Sequence, residues 1–213
     1  GGDGMAVREI LKYTQVDTVT LVDLDPAMTR LFSTAKSLRK LNAEALLSSK
    51  VSVVNADALQ WLEENDDVFD FVVVDFPDPS NFAIGKLYSA AFYRLLEKHL
   101  SASGLAVIQS TSPLYARQSF WCVVTTLESV GLVATPYHAL VPSFGEWGFV
   151  LAGKRAYKAP EQYAVPLRFL TPETTPALFQ FPKDMARVEV EVNRLNNQVL
   201  VRYFENEWRQ VIR

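Results

Sequence analysis

Five aspartates lie at positions in the chain where carboxylates can meet a ligand. Asp3 lies in a glycine turn, Asp23 and Asp57 end two successive predicted strands, and Asp75 and Asp78 follow the next one. Ligands of open parallel sheets bind at the carboxyl ends of the strands. We therefore expect the five carboxylates to lie along one edge of a sheet. Like charges at such an edge are costly unless a cation offsets them, which predicts a cationic ligand.

The sequence FVVVDFPDPSN carries the most specific pair of these acids. Its apolar start predicts a buried parallel strand, which ends in Asp75 and Asp78. Pro77 and Pro79 prevent the chain from continuing as a strand or entering a helix at once. We expect a rigid loop over residues 75–81, called the acid loop below, that holds both carboxylates above the sheet. An ordinary surface turn is the alternative, since Asp and Pro are common in turns.

The opening sequence GGDG allows the backbone to pass close to a ligand, and an acid about 20 positions later binds ribose hydroxyls in many nucleotide-binding units. Asp23 lies at that distance from the turn. The carboxylate of Asp3 disfavours a pyrophosphate, which needs bare N–H groups, and favours a nucleoside that bears positive charge. Asp57 has two compatible interpretations, as the N-cap of a helix that begins at Ala58 and as a contact to a base edge.

Short β-branched runs alternate with helical patterns through the first two thirds of the chain, which is typical of βαβ units and a parallel sheet. The runs LVATPYHAL and WGFVLAGK predict an antiparallel hairpin at the sheet edge. Proline recurs after residue 155, so we predict an α/β domain over residues 1–155 and an appendage over 156–213 that packs on or near it. A glycine turn that opens a helix normally follows a strand, and we therefore expect further sequence upstream.

Composition argues against several classes of function. The net charge is −3 and lysine and arginine are scattered, so we expect no nucleic-acid partner. We expect no metal site, because Cys122 is the only cysteine and His99 and His138 are far apart in the sequence. All three are expected to have structural roles. No apolar stretch approaches the ~20 residues of a membrane helix, so this portion is expected to be soluble and cytoplasmic.

Six motifs follow one another along the chain: GGDGMAVREILKY, VDLD, NADAL, VVVDFPDPSN, KLYSAAFYRLL and VPSFGEWGF. In this order they resemble the aminopropyltransferases of polyamine biosynthesis, the spermidine synthase family, and the resemblance runs from Gly1 through about Lys154. It implies a Rossmann-like, class I methyltransferase-type α/β fold with a mostly parallel sheet and an antiparallel edge, truncated at the N-terminus. Agreement of several motifs in order is more specific than any single one of them.

The resemblance implies a transferase that moves the aminopropyl group of decarboxylated S-adenosylmethionine to a diamine such as putrescine, giving spermidine and methylthioadenosine. The donor is then a co-substrate, and no tightly bound cofactor or metal is implied. The expected partners are small polyamine and nucleoside substrates, and whether the chain forms a homo-oligomer is left open. Some bacterial relatives carry membrane-spanning segments upstream, so attachment of a longer parent protein to a membrane is left open as well.

The resemblance also assigns roles to individual side chains. Asp75 is the implied catalytic residue, which orients the attacking amine and accepts its proton. The implied substrate-binding residues are Asp23 for the ribose hydroxyls, Asp57 for the adenine side, Asp3 for the aminopropyl amine, Asp78 for steering the cationic substrates and Gln109 as a further contact. Carboxylates suit these tasks, because donor and acceptor are both cations and repel each other.

The chain departs from the family pattern in three respects. Met5 stands where the glycine turn usually ends in another glycine, and Phe144 replaces the tyrosine of the family's PTY motif, which removes a hydroxyl from the acceptor side. Glu146 offers replacement polarity, although a solvated loop acid is the simpler interpretation. The family's N-terminal β-rich segment, which contributes to the acceptor site, is absent from this chain. Phe144 and the absent segment therefore bear on the identity of the acceptor.

Two other functions stay open at the level of the sequence. An S-adenosylmethionine-dependent methyltransferase shares the fold and the acidic ribose contact, but intact S-adenosylmethionine carries a carboxylate that Asp3 would repel. A non-catalytic relative that only binds nucleosides or polyamines is the second alternative, because Phe144 lacks the tyrosine hydroxyl and the family's upstream segment is missing. The presence of both Asp75 and Asp78 favours catalysis.

Overall fold

The structure, a computed structural model, describes residues 1–211 and divides into two compact units. The N-terminal unit contains Gly1–Asn65 and Gln162–Arg168, and the C-terminal unit contains Asp66–Glu161 and the chain from Phe169 onward. Each unit has a sheet of its own. No helix within residues 1–211 has the length and apolar character needed to cross a membrane. The division at residue 155 stays a prediction from the sequence.

A parallel pair of strands forms the sheet of the N-terminal unit. The elements of this unit are α1 (Met5–Ile10), β1 (Val19–Asp23), α2 (Pro26–Thr34), α3 (Lys36–Arg39), a 3-10 turn (Ala45–Leu47), β2 (Val51–Asn55) and α4 (Ala58–Glu64). β1 pairs with β2 in register, from Val19 opposite Val51 to Asp23 opposite Asn55. Both strands therefore end at the same edge, as the βαβ pattern predicts.

Local sequence signals explain where α2 begins. Asp25 caps the helix by accepting a hydrogen bond from Ala27 N at 2.8 Å. Pro26 is the first helical residue, where its missing N–H costs nothing. The sequence predicts a helix that Pro26 opens after the strand TVTLVDLD, and this prediction is confirmed. The helix therefore begins directly after the acidic end of β1.

The end of α2 differs from the prediction. The sequence predicts one helix that carries both Ala35 and Leu38, whereas α2 ends at Thr34 and α3 follows as a separate helix. Ala35 is extended, with φ −70° and ψ 114°. Thr34 Oγ1 donates to Arg30 O at 2.7 Å, and a hydroxyl that binds a helix carbonyl in this way competes with the helical ladder.

The C-terminal unit combines a parallel strand pair with an antiparallel edge. Its elements are β3 (Phe69–Val74), α5 (Phe82–Gly85), α6 (Ala90–His99), β4 (Leu100–Gln109), α7 (Arg117–Glu128), β5 (Val133–Val141), β6 (Gly145–Gly153) and α8 (Val199–Val211), with 3-10 turns at Lys86–Tyr88 and Thr175–Phe179. The strand order is β3-β4-β6-β5, in which β3 and β4 are parallel and the other pairs antiparallel. The predicted hairpin is confirmed, and β6 is its inner strand.

The prediction of a fully buried strand before the acid loop is wrong for one face of β3. Val74 is buried, but Phe71 is 51% exposed and Val73 is 39% exposed. Successive side chains of a strand point to opposite faces, so Phe71 and Val73 share one face, which is partly exposed. A continuous apolar run cannot indicate which of its two faces a neighbouring element covers.

The chain after Phe169 packs on the helices of the C-terminal unit. Asn193 is fully buried and donates from Nδ2 to the main-chain oxygens of Gly85 and Tyr88, both at 3.1 Å. Trp121 Nε1 on α7 donates to Met185 O at 2.9 Å. The Asn193 hydrogen bonds connect the late part of the chain to the segment that follows the acid loop, and the Trp121 hydrogen bond connects it to α7.

Candidate active site

The glycine turn and Asp23 are in direct contact in the N-terminal unit. Asp23 Oδ2 accepts a hydrogen bond from Gly2 N at 2.7 Å, and Asp23 Oδ1 accepts one from Asp25 N at 2.9 Å. A Cβ atom at Gly2 would lie 2.8 Å from Asp23 Oδ2, closer than real Cβ atoms approach, so a side chain there would displace the Asp23 carboxylate. The two backbone donors hold the Asp23 carboxylate at the carboxyl end of β1.

Asp3 lies in the same turn, and its surroundings fix the turn on both sides. Asp3 Oδ1 accepts from Met5 N at 3.0 Å, and Asp3 O accepts from Nδ2 of the fully buried Asn42 at 2.9 Å. Gly4 has a φ of 73°, a conformation that favours glycine, and a Cβ atom there would lie 2.8 Å from Leu46. Asn42 is a supporting residue that the sequence does not single out.

Asp57 has a structural role and lies at the same strand edge. Its Oδ1 accepts from Leu59 N at 2.9 Å and from Gln60 N at 3.4 Å, so the predicted N-cap of α4 is confirmed. The preceding strand β2 ends at Asn55, which is the register partner of Asp23. Asp23 and Asp57 therefore lie at one edge of the parallel pair, as the sequence predicts.

The acid loop follows β3 in the C-terminal unit and contains neither helix nor strand, as predicted. Asp75 is the first residue after β3 and is exposed, whereas Asp78 is half-buried. The loop ends at Asn81, whose Oδ1 accepts from Ile84 N at 3.0 Å and caps α5. The loop that carries the two carboxylates therefore runs from the end of β3 to the N-cap of α5.

Gln109 lies at the end of β4 and binds Asp78. Gln109 Nε2 donates to Asp78 Oδ1 at 3.1 Å, and Gln109 Oε1 accepts from Thr111 N at 3.1 Å. The backbone N–H of Thr111 requires the amide oxygen, so the amide nitrogen must face the carboxylate. The structure therefore brings together two predicted site residues, Asp78 and Gln109, and fixes the orientation of the amide between them.

Thr111 is a strained residue at this site that the sequence does not reveal. Its φ is 58°, which is rare for a β-branched residue, and its side chain is buried. The main chain is held there because Thr111 O accepts from Gly148 N at 2.7 Å. Within the described part of the chain, Thr111 Oγ1 has no hydrogen-bond partner of normal geometry. Strain of this kind concentrates at functional sites.

Burial and charge shift two pKa values around the acid loop. Burial raises the pKa of Asp78, while the nearby Gln109 amide and Thr111 hydroxyl oppose this shift by favouring the carboxylate. The pKa of Tyr88 is raised well above 10.0, chiefly by burial and further by the negative charges of Asp78 and Asp75. Tyr88 therefore stays protonated beneath the loop and acts as a hydrogen-bond donor.

We expect Asp78→Asn to stabilise the fold at neutral pH, because it removes a carboxylate that is partly shielded from water. A raised pKa in the folded state means that ionised Asp78 lowers the free energy of unfolding above that pKa. As the pH falls through this pKa, the wild-type carboxyl takes up a proton and the advantage of the variant disappears. Thermal melting of the wild type and the variant across pH tests this. A difference in stability between the two proteins that stays constant down to pH 3.8, the ordinary pKa of an aspartate, would contradict it.

The expectation that Glu146 is a solvated loop acid is wrong. Glu146 lies in β6 and its Oε1 is 2.5 Å from His138 Nδ1 on the paired strand β5. His138 Nε2 lies 2.7 Å from Gln180 O, so both ring nitrogens have oxygen partners. This pairing agrees with a structural role for His138 and engages the Glu146 carboxylate within the hairpin.

Several other residues lie in the packing of the C-terminal unit. Cys122 is fully buried, and burial raises the pKa of its thiol to about 12, so it is a packing residue as predicted. Trp147 is buried and its ring centroid lies 5.1 Å from that of Phe144, which is 60% exposed. Within residues 1–211, no three metal-ligating side chains cluster in a way that could hold an ion.

Comparison with known protein families matches residues 1–162 to the spermine/spermidine synthase domain. The chain belongs to the spermine/spermidine synthase family. Polyamine aminopropyltransferase 2 of Ralstonia nicotianae is 60% identical over 215 residues, which cover 100% of this chain and 42% of that protein. The polyamine aminopropyltransferase of Leptospira interrogans is 53% identical over 212 residues, which cover 100% of this chain and 43% of that protein. This family member therefore spans less than half the length of these relatives.

Solved spermidine synthases share the fold of this family member. The spermidine synthase from Thermotoga maritima gives a TM-score of 0.75 at 21% identity, covering 87% of this chain and 66% of the other. A spermidine synthase in complex with the transition state analogue AdoDATO gives a TM-score of 0.73 at 20% identity, covering 87% and 65%. The Rossmann-like α/β fold is thereby confirmed.

Proposed function

We propose that this chain carries out aminopropyl transfer from decarboxylated S-adenosylmethionine to a diamine such as putrescine, giving spermidine and methylthioadenosine. The observation that carries the proposal is the acid loop, which presents an exposed Asp75 beside a half-buried Asp78 that Gln109 binds. The names of the Ralstonia and Leptospira relatives support it, since both are polyamine aminopropyltransferases.

Asp75 is the proposed general base. A primary amine has a pKa of about 10.4, and neighbouring carboxylates raise that pKa, so the acceptor arrives as an ammonium ion and must lose a proton before it attacks. The freed nitrogen forms a C–N bond at the carbon beside the donor sulfonium. Asp75 has by then taken that proton directly or through water. As the C–N bond forms, the C–S bond breaks, its electron pair neutralises the sulfonium, methylthioadenosine leaves, and the new secondary amine carries the positive charge.

Asp78 and Gln109 are proposed to bind the acceptor without reacting. A carboxylate at Asp78 attracts the cationic amine, and the Gln109 amide keeps that carboxylate in one orientation. Because Thr111 N fixes the amide in turn, the binding geometry exists before the acceptor arrives. Such preorganisation reduces the entropy that binding must otherwise overcome.

The donor contacts are proposed for the three acids of the N-terminal unit. Asp23, held by the N–H groups of Gly2 and Asp25, accepts hydrogen bonds from the ribose hydroxyls. Asp57 contacts the adenine side, and Asp3 binds the ammonium of the aminopropyl group. Asp3 would repel the carboxylate of intact S-adenosylmethionine, so it selects the decarboxylated donor, which is consumed as a co-substrate in each turnover.

Residues 156–213 are proposed to be an appendage that packs on the catalytic domain. The hydrogen bonds from Asn193 to Gly85 and Tyr88 support this proposal. These hydrogen bonds reach the main chain a few residues after the acid loop. The appendage therefore helps to position the segment that follows this loop.

Mass spectrometry of the products tests the proposed reaction. The purified protein at its natural full length is incubated with decarboxylated or intact S-adenosylmethionine and a panel of diamines and polyamines. We expect methylthioadenosine and an aminopropylated amine from the decarboxylated donor alone. A methylated product from the intact donor would assign the chain to the methyltransferases instead, and binding without any product would leave only the non-catalytic function.

A further inference from the structure

The buried side chain of Tyr88 binds the main chain of the acid loop. The Tyr88 hydroxyl lies 3.1 Å from Pro77 O and 3.2 Å from Phe76 O, and it is the donor to both carbonyls. These two carbonyls belong to the residues that separate Asp75 from Asp78. The hydroxyl therefore binds the stretch of backbone that sets the spacing between the two carboxylates.

Tyr88 is itself immobilised, so it can serve as a fixed point. Its side chain is 1% exposed, and its ring meets that of Phe76 edge to face with centroids 6.1 Å apart. Its main-chain oxygen accepts from Nδ2 of the fully buried Asn193 at 3.1 Å. A hydrogen-bonded path therefore runs from Asn193 in the late part of the chain, through Tyr88, to the acid loop.

Two prolines limit how the main chain of the acid loop can be held. Pro77 and Pro79 lack N–H groups, so they cannot anchor the loop by donating hydrogen bonds. Asp78 O accepts from Ser80 N at 2.7 Å, which fixes the loop after Asp78. The Tyr88 hydroxyl adds a constraint on the main chain between Asp75 and Asp78.

We propose that Tyr88 is a positioning residue for the reaction, which acts by fixing the main chain between the proposed base Asp75 and the acceptor-binding Asp78. This inference rests on the proposed function. Tyr88 touches no substrate in this role; it limits the positions that the carboxylates can take. A displacement of about 1 Å in a reacting geometry can lower a rate about 100-fold, so the loss of one hydroxyl is sufficient to affect turnover.

Tyr88→Phe tests the proposal, and Tyr93→Phe is its matched control. Both tyrosines are buried, and both changes remove a single oxygen from a ring in the same packed region. The Tyr93 hydroxyl has no hydrogen-bond partner among residues 1–211, whereas that of Tyr88 binds the loop. The pair therefore separates the loss of the loop contact from the general effect of removing a buried hydroxyl.

We expect Tyr88→Phe to lower kcat by about 10- to 100-fold while the KM for the donor and the affinity for methylthioadenosine stay unchanged. Amide hydrogen exchange over residues 75–81 should accelerate in the same variant. Tyr93→Phe should leave kcat and the exchange of the acid loop as in the wild type. Thermal melting verifies that both variants are folded at the assay temperature.

Two outcomes would overturn the proposal, and they differ in what else they overturn. Wild-type kcat and wild-type loop exchange in Tyr88→Phe, in a protein whose wild type transfers aminopropyl groups, would remove only the role of Tyr88. Equal losses of kcat in Tyr88→Phe and Tyr93→Phe would do the same. A wild-type protein without transferase activity would overturn the proposed function and this inference together.

Discussion

Asp75→Asn should abolish aminopropyl transfer while leaving the binding of methylthioadenosine intact. The substitution preserves the shape of the side chain but removes the proton acceptor, and general base catalysis contributes about 10²- to 10⁴-fold to a rate. We expect kcat to fall by that factor. The nucleoside contacts are proposed for Asp3, Asp23 and Asp57 of the N-terminal unit, so calorimetry with methylthioadenosine should give the wild-type affinity.

Asp70→Asn is the matched control for this experiment. Asp70 lies on the same strand, β3, and is exposed, and its Oδ1 accepts a hydrogen bond from Ser101 Oγ at 2.9 Å. It precedes the carboxyl end of the strand, where ligands of parallel sheets bind. Asp70→Asn should therefore turn over at the wild-type rate. Undiminished turnover in Asp75→Asn would remove that residue from its assigned role, whatever the control shows.

The features of the fold that local sequence determines were predictable. The N-cap of α4 at Asp57 and the start of α2 at Asp25 and Pro26 depend on residues within one helical turn. The absence of regular structure in the acid loop follows from Pro77 and Pro79, which constrain the backbone wherever they occur. Each of these features depends on residues that are close in the sequence, so the sequence is sufficient to predict it.

Features that depend on distant contacts were not predictable from the sequence. Tyr88 lies in the motif KLYSAAFYRLL, and nothing in that motif indicates that its hydroxyl reaches Pro77 O. Asn193 binds Tyr88 O across 105 positions of sequence, and the positive φ of Thr111 depends on tertiary structure. Asn42, which fixes the carbonyl of Asp3, is hidden for the same reason.

The errors in the sequence-based predictions also have physical causes. Phe71 and Val73 are apolar and therefore fit a buried strand, but burial depends on which elements cover each face. Glu146 precedes the predicted strand WGFVLAGK and was expected to be a solvated loop acid, whereas the pairing of β5 with β6 places it beside His138. In both cases the prediction followed from the type of the residue, whereas the outcome depends on its neighbours in the folded structure, which the sequence does not give.

Asp23→Ala should weaken donor binding before it affects the chemical step. A hydrogen bond to a charged group contributes about 1.5–3 kcal/mol, so losing the ribose contact should weaken the affinity for methylthioadenosine by roughly 10- to 150-fold. At saturating donor, kcat should change little, because the general base is untouched. Calorimetry and steady-state kinetics separate the two quantities, and an unchanged affinity would contradict the ribose assignment.

Asp25→Ala is the control that separates ligand binding from structural loss in the same turn. Asp25 lies two residues after Asp23 and caps α2, so its loss should cost about 1 kcal/mol of unfolding free energy. We expect this variant to melt at a lower temperature but to bind methylthioadenosine as the wild type does. Asp23→Ala loses its own hydrogen bonds from Gly2 N and Asp25 N, so it should also melt earlier. If both variants lost affinity in proportion to their stability, Asp23 would be a scaffold of the glycine turn rather than a ligand of the ribose.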